Sequence, residues 1–159
     1  NQLAWERFER HCRDLAYSGR ELFIVAGPNG AGGEGLKGPR TTIGRSRIAV
    51  PAETWKVALS LPAGKVKPSD VTATNAKLLA LVTPNDQSVG EDWRRYETTL
   101  AEVERRTGYR FFSNVAPDVL KSVAEASAPK EAPQGKSPGG GDKSKQAKPK
   151  QPLKGGIGR

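Results

Sequence analysis

The chain opens on a helical stripe and then changes period. Trp5, Phe8, Cys12 and Leu15 recur at spacings of three, four and three. That predicts an amphipathic helix from residue 2 to about 18, with Asn1 placed to cap it and Gly19 to stop it. From Glu21 to Ala26 the run Leu22-Phe23-Ile24-Val25 is apolar without alternation, the pattern of a central strand covered on both faces. Gly27 to Gly38 reads as a glycine-rich loop, and Ile48-Ala49-Val50 as a short strand closed by Pro51. Thr54 to Leu61 sets Trp55, Val57, Leu59 and Leu61 against Lys56, Ala58 and Ser60, which predicts a half-buried strand. Gly64 to Asp70 is a polar connection. Lys77 to Thr83, with Leu78-Leu79-Ala80-Leu81-Val82, predicts another buried strand, stopped by Pro84-Asn85-Asp86. The pattern then turns helical. Asp92 to Tyr96 is one helical turn or an extended docking segment, and Leu100 to Arg106 is a helix ended by Gly108. Pro117 to Ala126 is a helix with proline in its first turn and Val119, Leu120 and Val123 inward. Strands first and helices later predict an α+β fold, a mostly antiparallel central sheet flanked by helices. No internal repeat is present.

Composition changes this picture at one end. From Ala128 to Arg159 the chain is built from Lys, Pro, Gly, Ser and Gln, with Leu153 and Ile157 as its only sizeable apolar groups. So little apolar surface does not offset the entropy of ordering, and 128–159 is expected to be a disordered tail. Residues 1–127 then form the folded unit, enough for one core and not for two domains. The net charge is +9, divided as eight cations against two anions in the tail (+6) and 18 against 15 in residues 1–127 (+3). The tail is either a solvated linker kept soluble by its lysines or an arm that holds polyanions by salt-sensitive electrostatics. A single cysteine, Cys12, excludes a disulfide within the chain and leaves the compartment open. No run approaches the roughly 20 apolar residues of a membrane helix.

Candidate chemistry gathers on the first helix. Asn1, Trp5, Glu9 and Arg13 follow one another at intervals of four. Taken alone they have plain roles: Asn1 a helix cap, Glu9 and Arg13 a surface ion pair worth about 0.2–0.5 kcal/mol. Further landmarks follow in order: Glu21-Leu22-Phe23-Ile24-Val25-Ala26-Gly27-Pro28, then Val50-Pro51 with Trp55-Lys56-Val57, then Val82-Thr83-Pro84-Asn85, then Thr107-Gly108-Tyr109-Arg110-Phe111-Phe112. As an ordered set, covering residues 1 to about 126, they resemble the C-terminal portion of the DNA/RNA non-specific endonucleases, the ββα-metal (His-Me finger) nucleases.

The resemblance implies a Mg2+-dependent hydrolase (Mn2+ being the alternative ion) that cuts phosphodiester bonds in DNA and RNA through contacts mainly to phosphates. Asn1 matches the residue whose side-chain oxygen holds the ion, with water in most other positions. Glu9 matches the acidic catalytic residue. Eight residues along a helix is a rise of ~12 Å and a rotation of about 80°, so Glu9 would act through the ion's water or a neighbouring base. Arg13 matches an arginine near the scissile phosphate. In this family the general base is the histidine of an Asp-Arg-Gly-His motif, which does not occur here. The chain is therefore expected to begin inside a catalytic domain and to be inactive without the N-terminal half as partner. The one histidine, His11, is expected to be a partly exposed helix residue. Relatives are commonly exported, which implies a secreted or periplasmic location. The rival function is a non-catalytic basic module that binds nucleic acid.

Other motifs have quieter readings. Gly27-Pro28-Asn29-Gly30-Ala31-Gly32-Gly33-Glu34-Gly35 lacks the Gly-Lys-Ser/Thr ending of a phosphate loop and is expected to be a flexible surface loop near the substrate cleft. Trp93 and Tyr96, set beside Arg94 and Arg95, are expected to pack inward rather than to stack on bases. Trp55 is expected in the core, and Cys12 as a small apolar filler.

Overall fold

The computed structural model describes residues 2–45 and 47–129. Its organising element is the strand β6 (Glu53–Pro62), which pairs antiparallel on one side with β1 (Arg20–Asn29) and on the other with β7 (Lys77–Pro84). The helix α1 (Gln2–Tyr17) covers one face of this sheet, and α2 (Leu100–Thr107) with α3 (Pro117–Ser127) covers the other. The fold is α+β with an antiparallel sheet, as the pattern predicts.

The two faces of β6 explain the layers. Trp55, Val57, Leu59 and Leu61 enter one core with Leu78 and Ala80 of β7, Leu100 and Val103 of α2, and Val123 of α3. The alternate face carries Ala58, which packs with Leu79 and Leu81 under Ala4, Phe8 and Cys12 of α1 and against Trp93. The expectation of a half-buried β6 is therefore corrected. Its second face is small or paired rather than wet: Ser60 accepts a hydrogen bond from the Arg20 guanidinium at 3.0 Å, and Lys56 is buried against a carboxylate.

The opposite correction applies to β1. It is one of the two outer strands of the sheet among the described residues, and Phe23, Ile24 and Val25 are 39%, 47% and 40% exposed rather than covered on both faces. A continuous apolar run signals what a strand is able to bury, not what buries it.

Between β1 and β6 the glycine-rich segment is not a bare loop. β1 runs on to Asn29, and two short hairpins follow: β2 (Gly33–Gly35) with β3 (Gly38–Arg40), and β4 (Thr42–Ile43) with β5 (Ile48–Ala49). Asp92–Tyr96 resolves into a 3-10 turn, Trp93–Tyr96, capped by the Asp92 carboxylate. Trp93 is buried edge-on against Phe8, with ring centroids 5.1 Å apart. The helix α2 starts on a Thr99 cap and stops at Gly108, whose φ of 74° suits glycine. The helix α3 ends at Ser127. The tail expectation concerns residues that, beyond 129, lie outside the described ones.

Candidate active site

The helix α1 turns its apolar stripe down onto the sheet and holds Trp5, Glu9 and Arg13 at the border of that packing. Trp5 is half-buried and Arg13 exposed. Between them the Glu9 carboxylate receives a hydrogen bond from Lys56 Nζ at 2.8 Å, across a pair whose side chains are 42% and 5% exposed respectively. Lys56 rises from the centre of the sheet, 3.8 Å from the Trp5 ring centroid and 5.8 Å from that of Phe8. A buried ammonium needs a counter-charge and hydrogen-bond acceptors; here it has one carboxylate and two aromatic faces. Donation from Lys56 holds the Glu9 carboxyl below its ordinary range, with the Trp5 indole and the Arg13 charge acting the same way and partial burial opposing them. Glu9 therefore pairs with Lys56, not with Arg13 as the plain surface-pair reading would have it.

Asn1 lies outside the described residues. Two positions on, Leu3 lines an open cleft of about 810 Å3 whose other walls are the β2–β3 hairpin and Asn85, Asp86 and Gln87. Among the described residues no three of His, Cys, Asp and Glu gather as a ligand set. On α1 the oxygen at hand among the described residues is the partly exposed Glu9 carboxylate.

His11 sits elsewhere. Its ring lies tilted over Trp93 at 5.0 Å, in a separate groove lined by Arg10, Asp14 and Arg94. Burial and the nearby Arg94 and Lys77 charges push its pKa down. Cys12 is buried, and burial raises its thiol pKa, as expected of a filler. No helix among the described residues is long and apolar enough to cross a membrane.

The sequence landmarks touch one another. Gly27 lies against Trp55, where a β-carbon would come within 2.7 Å of the indole, and Trp55 Nε1 donates to the Pro28 carbonyl at 3.2 Å. Trp55 packs against Phe111 at 5.1 Å and Tyr109 at 6.0 Å. Asn85 Nδ2 donates to the Pro51 carbonyl at 2.9 Å, and the Asn85 carbonyl accepts from Glu34 N at 2.7 Å. The landmarks are thus clasps that tie the ends of β1, β6 and β7 to the hairpins and to the 107–112 segment. Lys56, inside the Trp-Lys-Val landmark, is the site residue that the alternation misassigned to a wet face. The signal for it is the small size of Ala58 and Ser60, which lets a helix approach that side.

An α+β fold of an antiparallel sheet with helices on both faces, one of them holding a part-exposed carboxylate over a buried lysine, is the architecture that similarity to known proteins places in a family. Residues 1–118 match the family model of the DNA/RNA non-specific endonucleases, and the chain belongs to that family. It is 39% identical over 123 residues to a nuclease of Nostoc sp., across 77% of this chain and 42% of that protein. It is 28% identical over 121 residues to the human mitochondrial nuclease EXOG, across 72% of this chain and 31% of that one. In fold it resembles a chain of the solved EndoG/EndoGI complex, with a TM-score of 0.55, 23% identity, and coverage of 75% of this chain and 47% of that chain. The chain thus spans less than half the length of these relatives.

Proposed function

We propose that this chain supplies the ion-bearing helix of a Mg2+-dependent, sugar-non-specific endonuclease that hydrolyses phosphodiester bonds in DNA and RNA. The observation that carries the reading is the Glu9–Lys56–Trp5 cluster, a carboxylate held part-exposed by a buried lysine, one helical turn from an exposed arginine. In this reading Asn1 holds the ion through its amide oxygen, and the ion, when bound, stabilises charge on the phosphate and on the leaving oxygen. Glu9 accepts hydrogen bonds from water beside the phosphate. Arg13 neutralises a non-bridging phosphate oxygen.

His11 is turned onto Trp93 and away from Glu9, so the proton acceptor for the attacking water comes from a complementary part of the domain. The exposed Phe23, Ile24 and Val25 of β1 are a suitable seam for that part. The test is plasmid nicking with Mg2+ by the chain alone and by the chain mixed with a segment bearing Asp-Arg-Gly-His. Nicking only by the mixture, abolished by EDTA, is expected. Cleavage by the chain alone overturns the assignment of the base, and no cleavage by a folded mixture overturns the nuclease reading.

A further inference from the structure

The folded unit hides an uneven charge. Residues 33–50 hold Lys37, Arg40, Arg45 and Arg47 against Glu34 alone, while the rest of 1–127 holds 14 cations and 14 anions. The whole positive excess of the folded unit therefore lies in the β2–β3 and β4–β5 hairpins.

All four of these cations are exposed, and none forms an ion pair with a described carboxylate. Elsewhere half of the cations are neutralised: seven of those 14 form ion pairs, among them Arg7 with Glu91, Arg10 with Glu6, Lys56 with Glu9, Arg106 with Glu53 and Glu102, and Arg110 with Glu104. The same hairpins expose Leu36 (95%), Ile43 (54%) and Ile48 (61%). Unpaired cations set among bare apolar side chains are the make-up of a surface that awaits a polyanion with an apolar side to it.

The root of this double hairpin is fixed. Gly32 N donates to the Val50 carbonyl at 2.8 Å, Val50 N to the Thr41 carbonyl at 2.8 Å, and Glu34 N to the Asn85 carbonyl at 2.7 Å. A β-carbon on Gly33 would fall 2.5 Å from Asn85 Nδ2, so the hairpin lies flush on its support. Its inner side walls the cleft that reaches Leu3 in the first turn of α1. The cations are thus carried on a braced arm beside the helix that bears Glu9.

We infer that the double hairpin of residues 33–50 is the arm that grips the sugar-phosphate backbone of the nucleic-acid substrate, through Lys37, Arg40, Arg45 and Arg47, with Leu36 against sugars or bases. The inference rests on the nucleic-acid reading above and deepens it by naming the surface. Charge contacts of this kind read no bases and weaken steeply with salt.

The test uses the full chain, which needs no turnover for it. A short fluorescein-labelled DNA duplex is titrated in EDTA by fluorescence anisotropy from about 50 to about 200 mM salt. Three proteins are compared: wild type, the Lys37→Ser/Arg40→Ser/Arg45→Ser/Arg47→Ser variant, and a tail variant with Lys143, Lys145, Lys148 and Lys150 changed to Ser. Each phosphate contact adds about 0.9 to the log–log salt slope, so the hairpin variant, with four cations removed, should lose about 3.6 units of slope and about tenfold or more in affinity. The tail variant should lose less. The paired variants Lys37→Ser/Arg40→Ser and Arg45→Ser/Arg47→Ser, each checked for fold by circular dichroism, should each show about half the effect. An unchanged slope in the folded hairpin variants overturns the inference, as does wild-type binding that is salt-insensitive, absent, or abolished by the tail changes alone. The two readings fail separately. Glu9-dependent nicking by a mixture whose hairpin variant binds like wild type removes the arm and leaves the nuclease. Loss of binding in the hairpin variant beside a mixture that never nicks keeps the arm and removes the nuclease.

Discussion

The Glu9–Lys56 pair is lopsided, and the lopsidedness predicts which half tolerates loss. Lys56 is only 4% exposed, whereas the Glu9 side chain is 42% exposed. Glu9→Gln strands a buried ammonium. Removing one partner of a buried pair costs about 3–5 kcal/mol, of which the Trp5 and Phe8 faces recover up to about 2 kcal/mol. A loss of about 1–3 kcal/mol is expected. Lys56→Met strands a carboxylate that water already reaches, and the methionine keeps most of the buried volume. The cost should stay within about 1 kcal/mol, the scale of a solvent-screened pair. In the double variant the ammonium is gone, so its stability should match Lys56→Met rather than the sum of the singles. Urea unfolding at neutral pH measures all three, and a thermal melt should separate the singles by about 4 °C per kcal/mol for a unit of this size. The reasoning fails if Lys56→Met is the costlier change, or if the two single costs simply add. A pH series gives a second reading. The Glu9 carboxyl is held below its ordinary range in the folded state. Its contribution is therefore full above the unfolded carboxylate pKa and is lost as pH falls through the folded value; Lys56→Met should erase that acid limb.

Further outcomes follow from single residues. In the reconstituted domain, Asn1→Ala should abolish plasmid nicking and Arg13→Ala should slow it by about 10-fold to 1,000-fold; wild-type rates in either variant would remove that residue's role. Gly27→Ala would push a methyl into the Trp55 ring, which lies 2.7 Å from where the β-carbon would stand, at a cost of about 1–3 kcal/mol; a melt unchanged from wild type would contradict the clasp. Hydrogen bonds from Arg105 and then Arg106 lower the Glu102 carboxyl to about 2, so this pairing is whole above the ordinary carboxylate range and fades as pH falls toward about 2. A carboxyl carbon NMR titration should place its midpoint there, and an ordinary carboxylate midpoint would show that the arginines do not hold it.

Element types were legible in the sequence because period and punctuation agreed. Phe8 and Cys12 mark α1, Gly108 stops α2, and Pro117 starts α3. What the sequence left open was position in the layers. Leu22 to Val25 reads as the buried centre and forms an outer strand, while β6 reads as half-wet and forms the centre. Both errors have one cause: alternation reports side-chain chemistry, whereas burial is set by which elements arrive from elsewhere in the chain. Lys56 shows the cost, since a lysine between Trp55 and Val57 looks solvated until α1 brings Glu9 over it. The family landmarks were legible as an ordered set. Their mutual clasping was not, because Asn85 and Pro51, or Gly27 and Trp55, are far apart in sequence and meet only through pairing. The hairpin charge is masked in the sequence totals by the larger positive excess of residues 128–159.

The bare rim of β1 has a consequence for anyone purifying this chain. Among the described residues no strand pairs with its outer edge, which runs beside a row of greasy side chains, without the inward-pointing charge, bulge or covering helix by which proteins usually discourage neighbours from adding on. Two copies meeting there would extend each other's ladder and use up both rims, closing a pair. A light-scattering mass that rises with concentration toward that of a pair, and falls back when Ile24 is exchanged for lysine, is what such a rim should produce at the bench.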